Sequence, residues 1–180
     1  MPVKTIFETK IDHVSILDEY GNFDTQLGEG LIPDEDVVAM YKHMVVCRHL
    51  DEIAFKLQRS GRMGTYPENR GQEVPSLAAA YVLQKKDWMV TCYRENTGLF
   101  WRGLPMEKIL LHWMGDERGN HIDECNVTPL AIAIGSQLLH ATGLAWASKY
   151  KKDGAIACTF FGDGATSEGD FHEAANFAAN

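Results

Sequence analysis

The chain has few cysteines and no spacing that would pair them. Its four, Cys47, Cys92, Cys125 and Cys158, are widely scattered and form no C-x-x-C motif, which argues against a zinc ribbon or a disulfide framework and predicts reduced, mostly buried thiols. Seven histidines give no H-E-x-x-H, because His172-Glu173 lacks the second histidine of a zincin. Basic residues are in deficit: 17 Lys plus Arg stand against 25 Asp plus Glu, a formal net charge of −8. Without a basic surplus or stripe there is nothing to neutralise the phosphates of a nucleic acid. Long apolar runs are missing too. None approaches the roughly 20 residues of a membrane-spanning helix, and the polar start, Met1 to Lys10, is not followed by the apolar stretch of a secretory signal. The expectation is a soluble intracellular chain whose partners include neither nucleic acid nor membrane.

What is present is an ordinary globular composition, 45% apolar over 180 residues, a length that suggests one domain. Residues 1 to 33 read as an extended arm broken by turn chemistry at Asp18-Glu19-Tyr20-Gly21-Asn22 and at Gly28-Glu29-Gly30. Its apolar members, among them Ile6, Phe7, Val14, Ile16 and Leu17, are expected against a neighbouring surface. A helix is predicted from Asp34 to Ser60, with acidic residues at its start and Gly61 to cap its end. A second begins near Gln72-Glu73, where Pro75 is tolerable in the first turn, a third covers Leu104 to Met114, and a fourth Pro129 to Tyr150, beginning or interrupted around Gly135. Trp88 to Cys92 is a short strand. Ala155 to Phe161 is a continuous apolar run, the pattern of a strand buried on both faces of a parallel sheet. Helices alternating with short buried strands predict a three-layer α/β arrangement, a parallel sheet flanked by helices.

The sharpest chemical signal follows that last strand: Gly162-Asp163-Gly164-Ala165-Thr166-Ser167-Glu168-Gly169-Asp170, leading into a helix. In open α/β sheets ligands bind beyond the carboxyl ends of strands. Glycines there let the backbone approach a ligand, and a helix N-terminus favours an anion such as a diphosphate. An Asp between the glycines would repel a phosphate unless a divalent cation lay between them, and Mg²⁺ prefers one or two carboxylates plus phosphate oxygens. No Lys occurs between Gly162 and Asn180, so this is no Walker loop, and Ser167 stands where the dinucleotide fingerprint needs its third glycine. Taken alone, the loop is equally a turn followed by a capping box at Ser167 to Asp170.

Its companions change the balance. Gly71-Gln72-Glu73, Tyr93-Arg94-Glu95 and Ile132-Ala133-Ile134-Gly135-Ser136-Gln137 precede it in order, and with the run Gly162 to Phe171 the chain resembles the alpha subunits of the thiamin-diphosphate-dependent 2-oxo acid dehydrogenases. The helix Met40 to Gly61 is similar as well, so the resemblance covers nearly the whole chain. It implies a thiamin-diphosphate-binding fold, of which residues 34 to 180 would be the N-terminal part. It also implies that Asp163 is a Mg²⁺ ligand, that Gly164 and Ala165 present backbone to the diphosphate, and that Arg94 and Tyr93 contact diphosphate oxygens. Ile132 and Ile134 would meet the aminopyrimidine, two carbonyls accepting from its amino group. By residue type alone, Tyr93-Arg94 is a half-buried Tyr beside a surface Arg, and the two isoleucines are ordinary core.

Departures matter. Asn96 stands where family members often carry histidine, and Arg118-Gly119-Asn120 replaces a His-Gly-Asn found in some bacterial relatives, with His121 just beyond. His121 is a candidate for proton transfer or substrate orientation, with a solvated loop residue as the alternative. Tyr66 matches a position lining the active-site entrance, with core packing as the alternative. Glu168 and Glu173 read as capping and surface residues, since in this family the activating Glu comes from a beta subunit. The family's second Mg²⁺ ligand, an Asn about thirty residues after the Asp, would fall beyond Asn180, so the chain reads as the first half of an alpha subunit. The resemblance implies decarboxylation of a small 2-oxo acid, pyruvate in the first instance, with acyl transfer to the lipoyl group of an acyltransferase component, in the bacterial cytoplasm. A branched-chain 2-oxo acid or acetoin is the alternative substrate. Two rivals stand outside the family chemistry: a non-catalytic subunit-interaction module and a Mg²⁺/nucleotide hydrolase.

Overall fold

A computed structural model describes residues 3–180; Met1 and Pro2, the first residues of the expected arm, lie outside the described residues. The chain divides into two compact units, one ending at Val38 and one beginning at Ala39.

The first unit departs from a simple extended arm. Asp18 accepts the Tyr20 and Asn22 amides through Oδ1 and closes a turn, Leu17 and Phe23 pair as an antiparallel bridge, and Asp24 caps a one-turn helix, α1 (Thr25–Gly28), by accepting from Gln26 and Leu27. Asx-type side-chain bonds of this kind make turns where periodicity shows nothing. Ile6, Phe7, Val14 and Leu17 are exposed.

Helix α2 (Asp34–Arg59) follows its expected bounds closely. Asp34, Glu35 and Asp36 occupy its first turn and Lys56 and Arg59 its last, matching the polarity of the backbone dipole. Gly61, at φ 69°, ends it by donating to Gln58, while Arg62 donates to Leu57, the paired bonds of a left-handed helix stop. Cys47, Leu50, Asp51 and Ala54 form its buried face.

Helices α3 (Glu73–Val82) and α4 (Asn96–Trp101) pack against each other, with strand β1 (Trp88–Val90) between them in sequence. Glu73 anchors the start of α3: one carboxylate oxygen takes both Nε and Nη2 of Arg48, the other the Gly71 amide. Helix α5 (Met106–Trp113) starts after Pro105, and α6 (Ser136–Lys151) starts after Gly135 at φ 89°, a conformation that Cβ-bearing residues reach only with strain. Strand β2 (Ala157–Thr159) and helix α7 (Gly169–Ala178) complete the chain.

The fold is α/β. β1 and β2 pair in parallel, Met89 opposite Cys158, and α6 packs on both. On the other edge of β1, Val127 bridges Met89 in parallel and Ala131 donates to the Cys92 carbonyl, so the segment from 126 to 131 runs alongside β1 as a third, irregular line. Asp87 ties the start of the sheet together, accepting from Gln84 and from Ile156.

The run Ala155 to Phe161 is shorter and less buried than its apolarity predicts. Only Ala157 to Thr159 is strand, all three are half-buried, and Ile156 and Phe161 are exposed. The physical reason is one-sided pairing: among the described residues β2 meets only β1. Cys47 and Cys92 are buried and Cys125 and Cys158 half-buried, all four free thiols.

Candidate functional site

The parallel strands end at one cleft of about 370 Å³. Cys92 to Glu95, the segment leaving β1, forms one wall together with Gln72, Pro75 and Ser76 from the start of α3; Phe160 to Asp163, leaving β2, form the other. This is the crevice that a parallel sheet offers beyond its carboxyl edge.

Asp163 opens a 3₁₀ turn, Asp163–Ser167. Its carboxylate is exposed and takes no hydrogen bond or ion pair among the described residues, while its carbonyl accepts from Thr166 Oγ1. Ala165 is buried and its N–H donates to the Gly162 carbonyl, so that amide is engaged within the turn. The N–H groups of Asp163 and Gly164, at the start of the turn, are the ones such a terminus leaves open. Glu168 precedes α7 without a side-chain capping bond, so the capping-box alternative for this loop is not formed.

Arg94 lies across the cleft from Asp163. Its guanidinium stacks over the Tyr93 ring at 5.0 Å and makes no ion pair among the described residues, leaving a planar set of donors suited to two oxygens of an anion. An unpaired Arg on one lip, an unpaired carboxylate on the other and open turn amides form a donor set that fits a diphosphate neutralised by Mg²⁺. No group of three or more His, Cys, Asp or Glu side chains is placed to hold a metal among the described residues, so protein ligands alone would not suffice and phosphate oxygens would have to complete the shell.

Ile132 and Ile134 are not core: they are 59% and 52% exposed on the loop before α6. That loop is held at one end by the Ala131 amide on Cys92 and at the other by Gly135, whose α-carbon faces Glu168 and Asp170. It therefore reaches from the wall carrying Arg94 to the turn carrying Asp163 without lining the cleft itself.

The two remaining sequence candidates are placed elsewhere. Tyr66 is 5% exposed, edge-on to Trp113 at 6.0 Å, and donates to Asp51 Oδ1 at 2.6 Å; it is buried rather than at the cleft. His121 is on the surface, its Nε2 2.8 Å from Asp123, and its carbonyl takes Lys108 Nζ. It does not line the cleft either.

Sequence reasoning named Glu95 and Gln137 within matching blocks but gave neither a role. Gln137 is fully buried and donates to the Phe160 carbonyl at 2.8 Å, fixing the end of β2 to α6. Glu95 lines the cleft yet is only 7% exposed, and its Oε2 accepts the Arg94 amide at 3.1 Å. Burial pushes its carboxyl up to about 7, against the lowering effect of backbone bonds at Arg94 and Cys92 and of the Arg94 charge. The Cys92 thiol beside it is pushed up to about 11, chiefly by burial, which keeps it protonated and unreactive at neutral pH.

Glu95 makes a pH prediction. Because its folded value lies above the ordinary 4.5, the folded chain holds this proton more tightly than the unfolded one. Its contribution is complete below that ordinary value and is lost as pH rises through about 7, a loss on the order of a few kcal/mol. Denaturant unfolding at a series of pH values is expected to show this decline, and Glu95→Gln to flatten it. An unchanged slope in the variant would assign the pH dependence elsewhere.

An α/β chain with a cleft at the ends of its parallel strands has the arrangement in which open α/β sheets take their ligands. The comparison with known sequences is narrower: residues 41–180 match the family described as Dehydrogenase E1 component, and the chain belongs to it. It is 40% identical over 176 residues to the pyruvate dehydrogenase E1 component subunit alpha of Staphylococcus aureus strain COL, covering 96% of this chain and 47% of that protein. To the protein of the same name from Staphylococcus epidermidis it is 38% identical over 183 residues, covering 98% and 49%. The chain thus spans about half the length of the curated relatives it matches.

Proposed function

We propose that this chain contributes the diphosphate-binding part of the thiamin diphosphate site in the alpha subunit of a pyruvate dehydrogenase first component, and that Asp163 would hold the Mg²⁺ that accompanies the diphosphate. The observation that carries the reading is the pairing of Arg94 and Asp163, both without ion-pair partners, across one cleft at the ends of parallel strands. The bound cofactor supplies the chemistry of decarboxylation and acyl transfer. The chain's own residues bind and orient. Arg94 donates to diphosphate oxygens, with Tyr93 stacked beneath to limit its motion. Asp163 would hold the metal through its carboxylate. Gly164, at the start of the turn, presents its amide without a side chain in the way. Ala165 anchors the turn from below, its N–H committed to Gly162. Ile132 and Ile134, exposed on the loop before α6, would offer carbonyls and an apolar face to the aminopyrimidine.

The substrate in this reading is pyruvate, the acceptor a lipoyl group on an acyltransferase component, and the partner a beta subunit, in the cytoplasm. No helix among the described residues is long and apolar enough to cross a membrane. Exposed Trp146, Tyr150, Ile156 and Phe177 fit a chain that assembles with others. His121 and Tyr66 do not line this cleft. Calorimetric titration of the full-length protein, co-purified with its partner subunit, tests the reading: micromolar binding of thiamin diphosphate that disappears when Mg²⁺ is chelated is expected. Absence of binding with Mg²⁺ present would sink it, and ATP hydrolysis by the same preparation would favour the nucleotide-hydrolase rival.

A further inference from the structure

Behind the cleft lies a buried set of polar side chains that the binding reading does not use. Asn69 and Asn96 are each 1% exposed and Asp51 is 2% exposed. Asp51 of α2 receives the Tyr66 hydroxyl on Oδ1 at 2.6 Å and the Asn69 amide on Oδ2 at 2.9 Å. The Tyr66 oxygen accepts in turn from Asn96 Nδ2 at 3.0 Å, and Asn69 Oδ1 accepts the Asn96 backbone N–H at 3.2 Å. Each connection has a consistent donor and acceptor, so the four residues form a closed ring of hydrogen bonds inside the hydrophobic core. These bonds offset the cost of burying the groups that make them and fix the backbone around them, while Asn96 Oδ1 is left buried without a hydrogen-bond partner.

The attachment points matter more than the ring itself. Asn96 is the residue directly after Tyr93-Arg94-Glu95 and opens α4. The Asn69 carbonyl accepts the Gln72 amide at 2.7 Å, just ahead of α3. Gln72 and the 93–95 segment belong to the same cleft. The two chain segments that hold the anion-facing residues of this wall are therefore pinned to each other, and to α2, through two asparagines. An Arg side chain is long, and the direction in which Arg94 leaves the backbone decides whether its planar donors meet two oxygens or one.

We propose that Asp51, Tyr66, Asn69 and Asn96 are positioning residues: the ring they form sets the backbone of the 93–95 segment and so aims Arg94 across the cleft. The proposal deepens the diphosphate reading and rests on it. It also gives Tyr66 a role at a distance from the cofactor in place of one at the entrance, and it explains why an asparagine suits position 96. That residue must donate from both its backbone and its side chain within a space that excludes water.

A double-mutant cycle in the full-length protein, co-purified with its partner subunit, tests it. Tyr66→Phe removes one oxygen and is expected to weaken thiamin diphosphate binding about tenfold. In an Arg94→Ala background the same change is expected to cost less than about twofold, because there is no guanidinium left to aim. A purely structural loss would lower affinity by the same factor in both backgrounds, and that result overturns the proposal. Should Tyr66→Phe fail to fold, Asn96→Ser carries the test, since it keeps the backbone N–H to Asn69 and loses only the amide to Tyr66. Hydrogen exchange without cofactor is the second arm: the 92–96 peptide is expected to exchange faster in either variant than in the parent. Parent-like exchange there overturns the positioning role, whereas faster exchange in the variants of a parent that binds no thiamin diphosphate would remove the functional reading and leave the ring's control of this segment standing.

Discussion

Asp163→Ala is expected to reduce Mg²⁺-dependent retention of thiamin diphosphate by on the order of a hundredfold or more, while the melting temperature of the cofactor-free protein stays within a degree or two, an estimate that follows from the small cost of surface changes. The contrast follows from where the carboxylate sits. It is exposed, and its side chain holds no other part of the described chain, so nothing in the fold depends on it. The metal depends on it, because no group of three or more His, Cys, Asp or Glu side chains is placed to hold a metal among the described residues. Asp163→Asn should fall between, keeping an oxygen but losing the charge that offsets Mg²⁺. The measurement is calorimetric titration of the assembled protein at fixed Mg²⁺. Unchanged affinity in Asp163→Ala would mean that the metal is held elsewhere and would withdraw Asp163 from the site.

Gly98→Ala is expected to have a large effect on stability. A β-carbon at position 98 would stand 2.5 Å from the Ser76 carbonyl oxygen and 2.6 Å from the Met89 methyl. The methionine could move, but the carbonyl belongs to the backbone of α3 and is fixed by its helix. Overpacking against such an obstacle costs about 3 kcal/mol, at the upper end of the usual range. The displacement would also reach the cleft, since Ser76 lines it and its hydroxyl accepts the Gly98 amide at 3.2 Å. Gly143 is the matched control. It sits in α6 with nothing within 4 Å of its would-be β-carbon, so Gly143→Ala should stabilise by roughly 0.5–1 kcal/mol. Urea denaturation of both variants decides the matter: equal effects would show that the α3–α4 contact is looser than described.

Where the sequence was informative, the information was local. Pro33 and three acids mark the start of α2 and Gly61 its end; Pro105 and Gly135 likewise announce α5 and α6. Arg94 and Asp163 were legible because their neighbours, a Tyr and two glycines, point to a specific use of each side chain. Helix α4 was not, because Asn-Thr-Gly-Leu-Phe-Trp has weak helical propensity. It forms because Gly98 lets it lie against α3. The burial of Asn96 was not legible for the related reason that it is decided by Tyr66 and Asn69, far away in sequence. The apolar run before Gly162 promised a fully buried strand, yet apolarity records what a segment can bury against, and among the described residues β2 has a partner on one side only. Tyr66 shows the same ambiguity from the other direction: its residue type and place in the chain were compatible with an entrance, and only the hydroxyl's bond to Asp51 reveals a core position.

The hydrogen bond from the Ile156 amide to Asp87 joins residues 69 apart, whereas the Gly98 to Ser76 bond between α3 and α4 spans 22. Closing the longer loop costs more chain entropy and is slower, since distant contacts become favourable only after their loop has been ordered. The wall that carries Arg94 can thus assemble early from neighbouring helices, while the wall that carries Asp163 arrives only when β2 docks beside β1. A ligand that needs both walls has nothing to hold until that final docking, and its binding energy can then act only on the finished structure, adding to its lifetime rather than to the speed of its formation.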